Sequence, residues 1–210
     1  MFIKDGELLT LHSNPFRFLY LTAKRCICKA EQSKLKSDKE SECNYSMAAI
    51  ILLLLSSEAL INRIYEKFIK SKLPKTIYRE IVDRWSPIVK WYFAPLLFDH
   101  KRGRTFEVDR EPWQSFSELK KIRDYFAHPK PLRYPLTVLN AREKAVDFAQ
   151  EVPRWAQTKI PKDLHHFRVS DAKKTLEIIN QMIDQLDSFM GGIVKKDDWY
   201  LQEELKKENQ

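Results

Sequence analysis

Apolar residues recur along most of this chain at steps of three and four, the spacing of helices with one buried side. Asn14-Pro15 opens the first such run, since asparagine caps a helix and proline suits its first turn. Phe16, Leu19, Tyr20, Ala23 and Ile27 follow, and the pattern fades near Lys34. The stretch KLKSDKESECN, residues 34–44, is polar and charged and reads as a linker. A second helix is predicted from Ser46 to Ser71. It starts apolar all round, in MAAIILLLL, then turns amphipathic, with Met47, Ile51, Leu54, Ile61, Tyr65 and Phe68 on one broad arc. Glu58 falls within that arc, and Asn62 sits beside it one turn on. Residues 1–13 carry little signal.

Pro74, Pro87 and Pro95 interrupt an aromatic-rich stretch over 74–100, which predicts short or kinked core helices. Residues 99–112, DHKRGRTFEVDREP, read as a loop. Trp113, Phe116, Leu119, Ile122 and Phe126 then mark the buried stripe of another helix, which Pro129 cuts off. Residues 129–169 read as an extended, proline-interrupted excursion in which LNAREKAVDFAQEV, 139–152, is a candidate helix. Ser170-Asp171 caps the last strong helix, faced by Leu176, Ile179, Ile183, Leu186 and Met190 and ended by Gly191-Gly192. The expected organisation is an N-terminal helix and polar linker over 1–45, a helical domain over 46–192, and a charged tail over 193–210 that reads as a loose helix at most. The fold class is all-α. No internal repeat and no Gly-rich phosphate loop is present.

Composition supports this picture. A length of 210 residues suits one domain with extensions. Apolar content of 43% and aromatic content of 12% supply a core, and only four glycines favour helix over turn-rich architectures. The net charge of +8 makes RNA, DNA or another polyanion a natural partner, while the plain reading is solubility. Three cysteines, Cys26, Cys28 and Cys43, make no disulfide framework, and Cys26-x-Cys28 lacks the second pair of a zinc site. A reduced, cytoplasmic setting is therefore expected. The apolar run MAAIILLLL falls short of the about 20 residues of a membrane span and reads as a core helix, so no membrane is expected. His165-His166 has no acidic or cysteine partners at ligand spacing, and neither a metal nor a cofactor is expected. Ser56-Ser57 lacks a nucleophile motif. Trp85, Trp91 and Trp113 can stack on bases, but in apolar helices they read first as core.

The chemistry concentrates in KKIRDYFAHPKPLR, residues 120–133. At 100° per residue, Arg123 lands between Phe116 and Leu119, inside the apolar stripe. A guanidinium there needs a carboxylate, a phosphate or a facing subunit. Glu58 has the same problem on its own helix, so the two helices are expected to pack with Glu58 near Arg123. His128, before Pro129, is expected to peel away at the helix end, where the dipole favours imidazolium. Its plain reading is a capping histidine. Its sharper reading, with Arg123, is phosphodiester cleavage by a neighbouring 2′-hydroxyl: arginine neutralises the phosphoryl oxygens and histidine moves the proton. Lys120, Lys121, Lys130 and Arg133 then hold flanking phosphates, or simply form a solvated basic face.

RDYFAH, Arg123 to His128, resembles the Arg-x4–6-His motif of HEPN domains. SSEALINRIYEKF, 56–68, resembles their first core helix, with its polar residue facing the motif. IVKWYFAPLLF, a loop, and ELKKIRDYFAH follow in the usual order, and DAKKTLEIINQMIDQL resembles the closing helix. The likeness spans 46–190 and leaves the N-terminal helix and linker outside it, and the excursion over 129–169 is longer than a minimal domain of this kind needs. It implies a helical bundle, a homodimer with facing motifs, and RNA as substrate of a metal-independent endoribonuclease of toxin, defence or RNA-processing type. It implies Arg123 and His128 as the catalytic pair, with Glu58, Asp124 and Asn62 supporting them. A cognate antitoxin or nucleotidyltransferase-type partner also follows from it. Some members of the family only bind nucleotides or partners, so a non-catalytic interaction module is the alternative.

Overall fold

The computed structural model describes residues 2–4, 7–9, 15–80, 82–99, 104–128, 137–138, 148–149 and 152–197. Helices dominate them: α1 (Pro15–Leu35), α2 (Lys39–Ile64), α3 (Lys75–Glu80), α4 (Pro87–Phe98), α5 (Trp113–Ala127), α6 (Val169–Phe189) and α7 (Ile193–Asp197). The class is all-α. Two short antiparallel pairs accompany the helices, β1 (Phe2–Lys4) with β2 (Glu7–Leu9) and β3 (Thr137–Val138) with β4 (Phe148–Ala149).

The polar stretch over 34–44 is not a linker. Ser37 takes a left-handed backbone, with φ of 59°, and reverses the chain in one tight turn. The Asp38 carboxylate then caps α2 by accepting from the Ser41 amide at 3.0 Å. Lys39, Glu40 and Glu42 are good helix formers, and the acids suit a helix N-terminus. The chain therefore forms a hairpin of α1 and α2, and position 45/46 falls inside a helix. Phe16, Ala23 and Ala30 of α1 are buried in one core with Ile50, Leu53, Leu60 and Ile61 of α2 and Ile179, Met182 and Leu186 of α6.

The buried side of α2 also differs from the expected arc. Leu54, Ile61 and Tyr65 of that arc are buried as expected, but Met47 and Ile51 are only half-buried, while Ile50, Leu53, Ser57 and Leu60 also face inward. A segment apolar all round does not choose its own inner face; packing by α1 and α6 does. With its continuation to Lys72, α2 is long and apolar enough to cross a membrane by length and composition, and half of its most apolar window is buried inside the bundle. Past Ile64 it widens into a π-helical turn, Tyr65–Ile69, then tightens over Lys70–Lys72.

The α6 cap lies earlier than Ser170. Val169 is the first helical residue, and the Arg168 amide donates to Asp171 Oδ2 at 2.9 Å. Glu42 of α2 accepts from the Val169 amide at 3.1 Å, so a second carboxylate meets the same helix end. Gly191 and Gly192, with φ of 73° and 80°, end α6 as the sequence indicates. The tail begins as α7, tied back by Lys195 Nζ to Asp184 at 2.8 Å.

In the excursion, Phe148 and Ala149 are paired strand rather than helix. The rest of the candidate helix up to Glu151 lies outside the described residues. From Val152 the chain returns to the bundle. Trp155 and Ile160 close a tight loop, with the Trp155 amide donating to the Ile160 carbonyl at 2.9 Å, and Ile160 itself is buried. Glu118 of α5 pins this loop. Its carboxylate accepts from the Thr158 amide at 2.6 Å and from the Gln157 amide at 3.1 Å. Burial alone would raise the Glu118 pKa, but the amides of Thr158 and Gln157 outweigh it and hold it below the usual range.

Glu118→Ala strands two amides and is expected to cost about 2–3 kcal/mol in chemical denaturation. Because the folded-state pKa is depressed, the carboxylate's contribution is complete above the ordinary glutamate range. It is lost as pH falls through the lower folded-state value. The stability gap between wild type and Glu118→Gln is therefore expected to shrink between neutral and strongly acidic pH, and a constant gap would contradict the assignment.

Candidate functional site

Helix α5 carries the motif. Trp113, Phe116, Leu119 and Ile122 are buried along one side, and Phe126 meets Phe167 with ring centres 5.5 Å apart. That packing fixes the rotation of the helix and so the direction of Arg123. The last helical residue is Ala127. His128 keeps one helical bond, its amide donating to the Asp124 carbonyl at 3.1 Å. Its own backbone has left helical geometry, at φ −136° and ψ 65°, as a residue before proline does. The residue is exposed.

Arg123 meets the expected carboxylate. Its Nη2 lies 2.9 Å from Glu58 Oε2, and its Nη1 lies 3.0 Å from Asp124 Oδ1. Burial alone would lower the guanidinium pKa, but Asp124 and Glu58 together raise it. Asp124 also faces Lys120, whose Nζ is 3.7 Å from its other oxygen. Glu58, Arg123, Lys120 and Asp124 thus form one charged group at the α2–α5 contact. Glu58, Arg123 and Lys120 line a small recess with Ser57, Pro87 and Ile88. The recess encloses about 20 Å³, room for a water molecule or two.

The remaining expected residues stand apart. His128 does not line the recess. Asn62, one turn beyond Glu58, accepts from Lys90 Nζ at 2.9 Å and so supports α4 rather than the arginine. Lys121 is exposed on α5, outside the recess. Lys130 and Arg133 lie outside the described residues. His166 Nδ1 is 3.1 Å from Asp163 Oδ2, and no group of three metal-ligating side chains occurs among the described residues. Trp91 and Trp113 are core; Trp85 is half-buried.

Sequence reading missed how these groups extend along α2. Glu58, Asn62 and Glu66 stand at successive steps of four, and each meets a donor from a different element. Glu58 meets Arg123 of α5, Asn62 meets Lys90 of α4, and Glu66 accepts from the Tyr78 hydroxyl of α3 at 2.9 Å. The available signal was Lys90 itself, a lysine in the apolar run SPIVKWYF that ends up 7% exposed.

Glu58→Ala is expected to destabilise the fold by about 1 kcal/mol, the range of a partly exposed ion pair whose cation loses one of two partners. Unchanged denaturation midpoints in Glu58→Ala would show that the pair contributes nothing. Comparison with family models, curated proteins and solved structures finds no match to this chain.

Proposed function

We propose that the protein is a HEPN-like RNA-binding protein and a metal-independent endoribonuclease, with Arg123 and His128 as its catalytic pair. One observation supports this most: a half-buried arginine, aimed by two carboxylates, stands five residues before an exposed histidine at the same helix end. A guanidinium has five N–H donors, and its bonds to Glu58 and Asp124 leave others for a phosphate. The recess is too small for a nucleotide, so the strand lies across its mouth, with Lys120 and Lys121 near its path.

The reaction needs no metal. His128 takes the proton of the 2′-hydroxyl, the O2′–phosphorus bond forms and the phosphorus–O5′ bond breaks. A proton returned to O5′ completes the step, leaving a 2′,3′-cyclic phosphate and a 5′-hydroxyl. Arg123 neutralises the charge that builds on the phosphoryl oxygens. Ile51, Leu52 and Leu55 line the open side of α2 beside Glu58, and Leu55 is 39% exposed. Such an apolar strip beside the recess supports a homodimer that joins two motifs in one groove. An antitoxin or nucleotidyltransferase-type partner is part of the same reading.

A second reading has its own support. Two carboxylates already satisfy Arg123 in the single chain, as a purely structural ion pair would, and this favours a non-catalytic dimerisation or partner-binding module. Incubation of RNA with the protein in EDTA separates the two. The nuclease is expected to release cyclic-phosphate ends, and His128→Ala to release none. RNA left intact by the wild type at low salt establishes the module instead.

A further inference from the structure

A second polar opening lies further along α2. Glu66 is eight residues beyond Glu58, about 12 Å along the helix. The π-helical turn there buries Tyr65 and Ile69 and leaves Glu66 exposed, and Lys70, just past it, is exposed too. They form one wall with Ser71, and α3 supplies the other with Lys75, Tyr78 and Arg79. The cleft measures about 380 Å³, within the range of small-ligand sites, roughly 300–1,000 Å³.

Its two walls are locked together. Glu66 accepts from Lys70 Nζ at 2.6 Å and from the Tyr78 hydroxyl at 2.9 Å, so both its charge and its position are accounted for. Lys75 and Arg79 are different. They stand four apart on α3, both exposed, and among the described residues neither has a hydrogen-bond or ion-pair partner. Among the described residues the Ser71 hydroxyl likewise has no hydrogen-bond partner. Lys90, buried and close enough to act on the charge of Glu66, adds a fourth cation to Lys70, Lys75 and Arg79. Its Nζ donates to two neutral acceptors, Asn62 Oδ1 at 2.9 Å and the Asp83 carbonyl at 3.4 Å. The exposed carboxylate of Asp83 opposes these cations at the rim.

We propose that this cleft is a second anion site, which takes a phosphate group on Lys75, Arg79 and Ser71. The group has two possible sources. One is a free phosphorylated small molecule. The other is a later phosphate of a strand lying at Arg123, a few nucleotides away, and that source rests on the RNA reading above. Arg79 offers a fork for two phosphate oxygens and Lys75 a point charge, the usual division of labour between these side chains.

The test uses the full chain in EDTA at low salt with two probes: pyrophosphate by calorimetry, and a short fluorescein-labelled oligouridine by anisotropy. A His128→Ala background keeps the oligonucleotide uncut and leaves Arg123 in place to hold the strand. The double variant Lys75→Gln/Arg79→Gln changes only exposed side chains, and its melting curve is compared with that of its parent. It is expected to bind about tenfold more weakly or worse, through loss of two charge-assisted contacts. Loss for pyrophosphate identifies the free ligand; loss for the oligonucleotide alone identifies the strand. The proposal is overturned if neither probe binds the parent, or if the folded double variant binds both as tightly. RNA left uncut by the wild type, with pyrophosphate binding that depends on Lys75 and Arg79, removes the ribonuclease reading and leaves the cleft standing.

Discussion

Replacing Trp91 by alanine is expected to lower stability by about 3–5 kcal/mol, the usual cost of emptying a large aromatic site. The indole of Trp91 is fully buried on α4. Its ring centre lies 5.2 Å from that of Phe116 on α5 and 6.3 Å from that of Phe106. These rings hold α4 against α5, so the cavity opens behind the helix that aims Arg123. Domains of this size are stable by about 5–15 kcal/mol, so the loss is a large share of the total. Trp91→Phe supplies the control. The buried indole nitrogen has no hydrogen-bond partner among the described residues, so phenylalanine breaks no bond there and leaves a smaller void. Its expected cost is about 1 kcal/mol. Chemical denaturation of the two variants checks this, and equal midpoint shifts would refute the packing argument.

The second large effect concerns the proposed reaction. Arg123→Ala is expected to lower RNA cleavage by about 10²–10³-fold, the scale for removing one donor to a developing oxyanion. The same change leaves Glu58 without its cation. That carboxylate keeps 20% of its side-chain surface, so the stability loss stays near 1 kcal/mol and unfolding does not account for the lost activity. Arg123→Lys tests geometry rather than charge. An ammonium lacks the planar fork that reaches Glu58, Asp124 and a phosphate at once, so lysine is expected to restore little. Full activity in Arg123→Lys, or in a folded Arg123→Ala, would remove arginine from the chemistry.

Some of this site was legible from residues alone. Arg123 falls in the apolar stripe of one helix and Glu58 in that of another, and each buried charge needs a partner. Two such needs of opposite sign point to each other, and the 2.9 Å pair answers both. The end of α5 was legible too, because Pro129 acts on the residue before it by sterics alone. Asn62 was not, since Glu58 and Asn62 look alike on a helical wheel and only the arrival of α4 gives Asn62 its lysine. Glu118 reads as an ordinary exposed acid until residues 157 and 158 fold back over it.

The turn at 36–38 shows the same division from the other side. No glycine or proline marks it, so the polar stretch around it looked like a linker. Ser37 takes the left-handed conformation because α1 and α2 are held antiparallel on either side. Locally repeated patterns, where each residue reports on its own helix, were determined by sequence: the runs of α5 and α6, their buried stripes, the stop at Gly191-Gly192. Tertiary structure decided the inward face of α2, the partners of Asn62 and Glu118, and the cleft beside α3. The reason is physical. Helical periodicity arises from bonds four residues apart, whereas those features depend on which distant segments meet, and a helix apolar on every side accepts more than one answer.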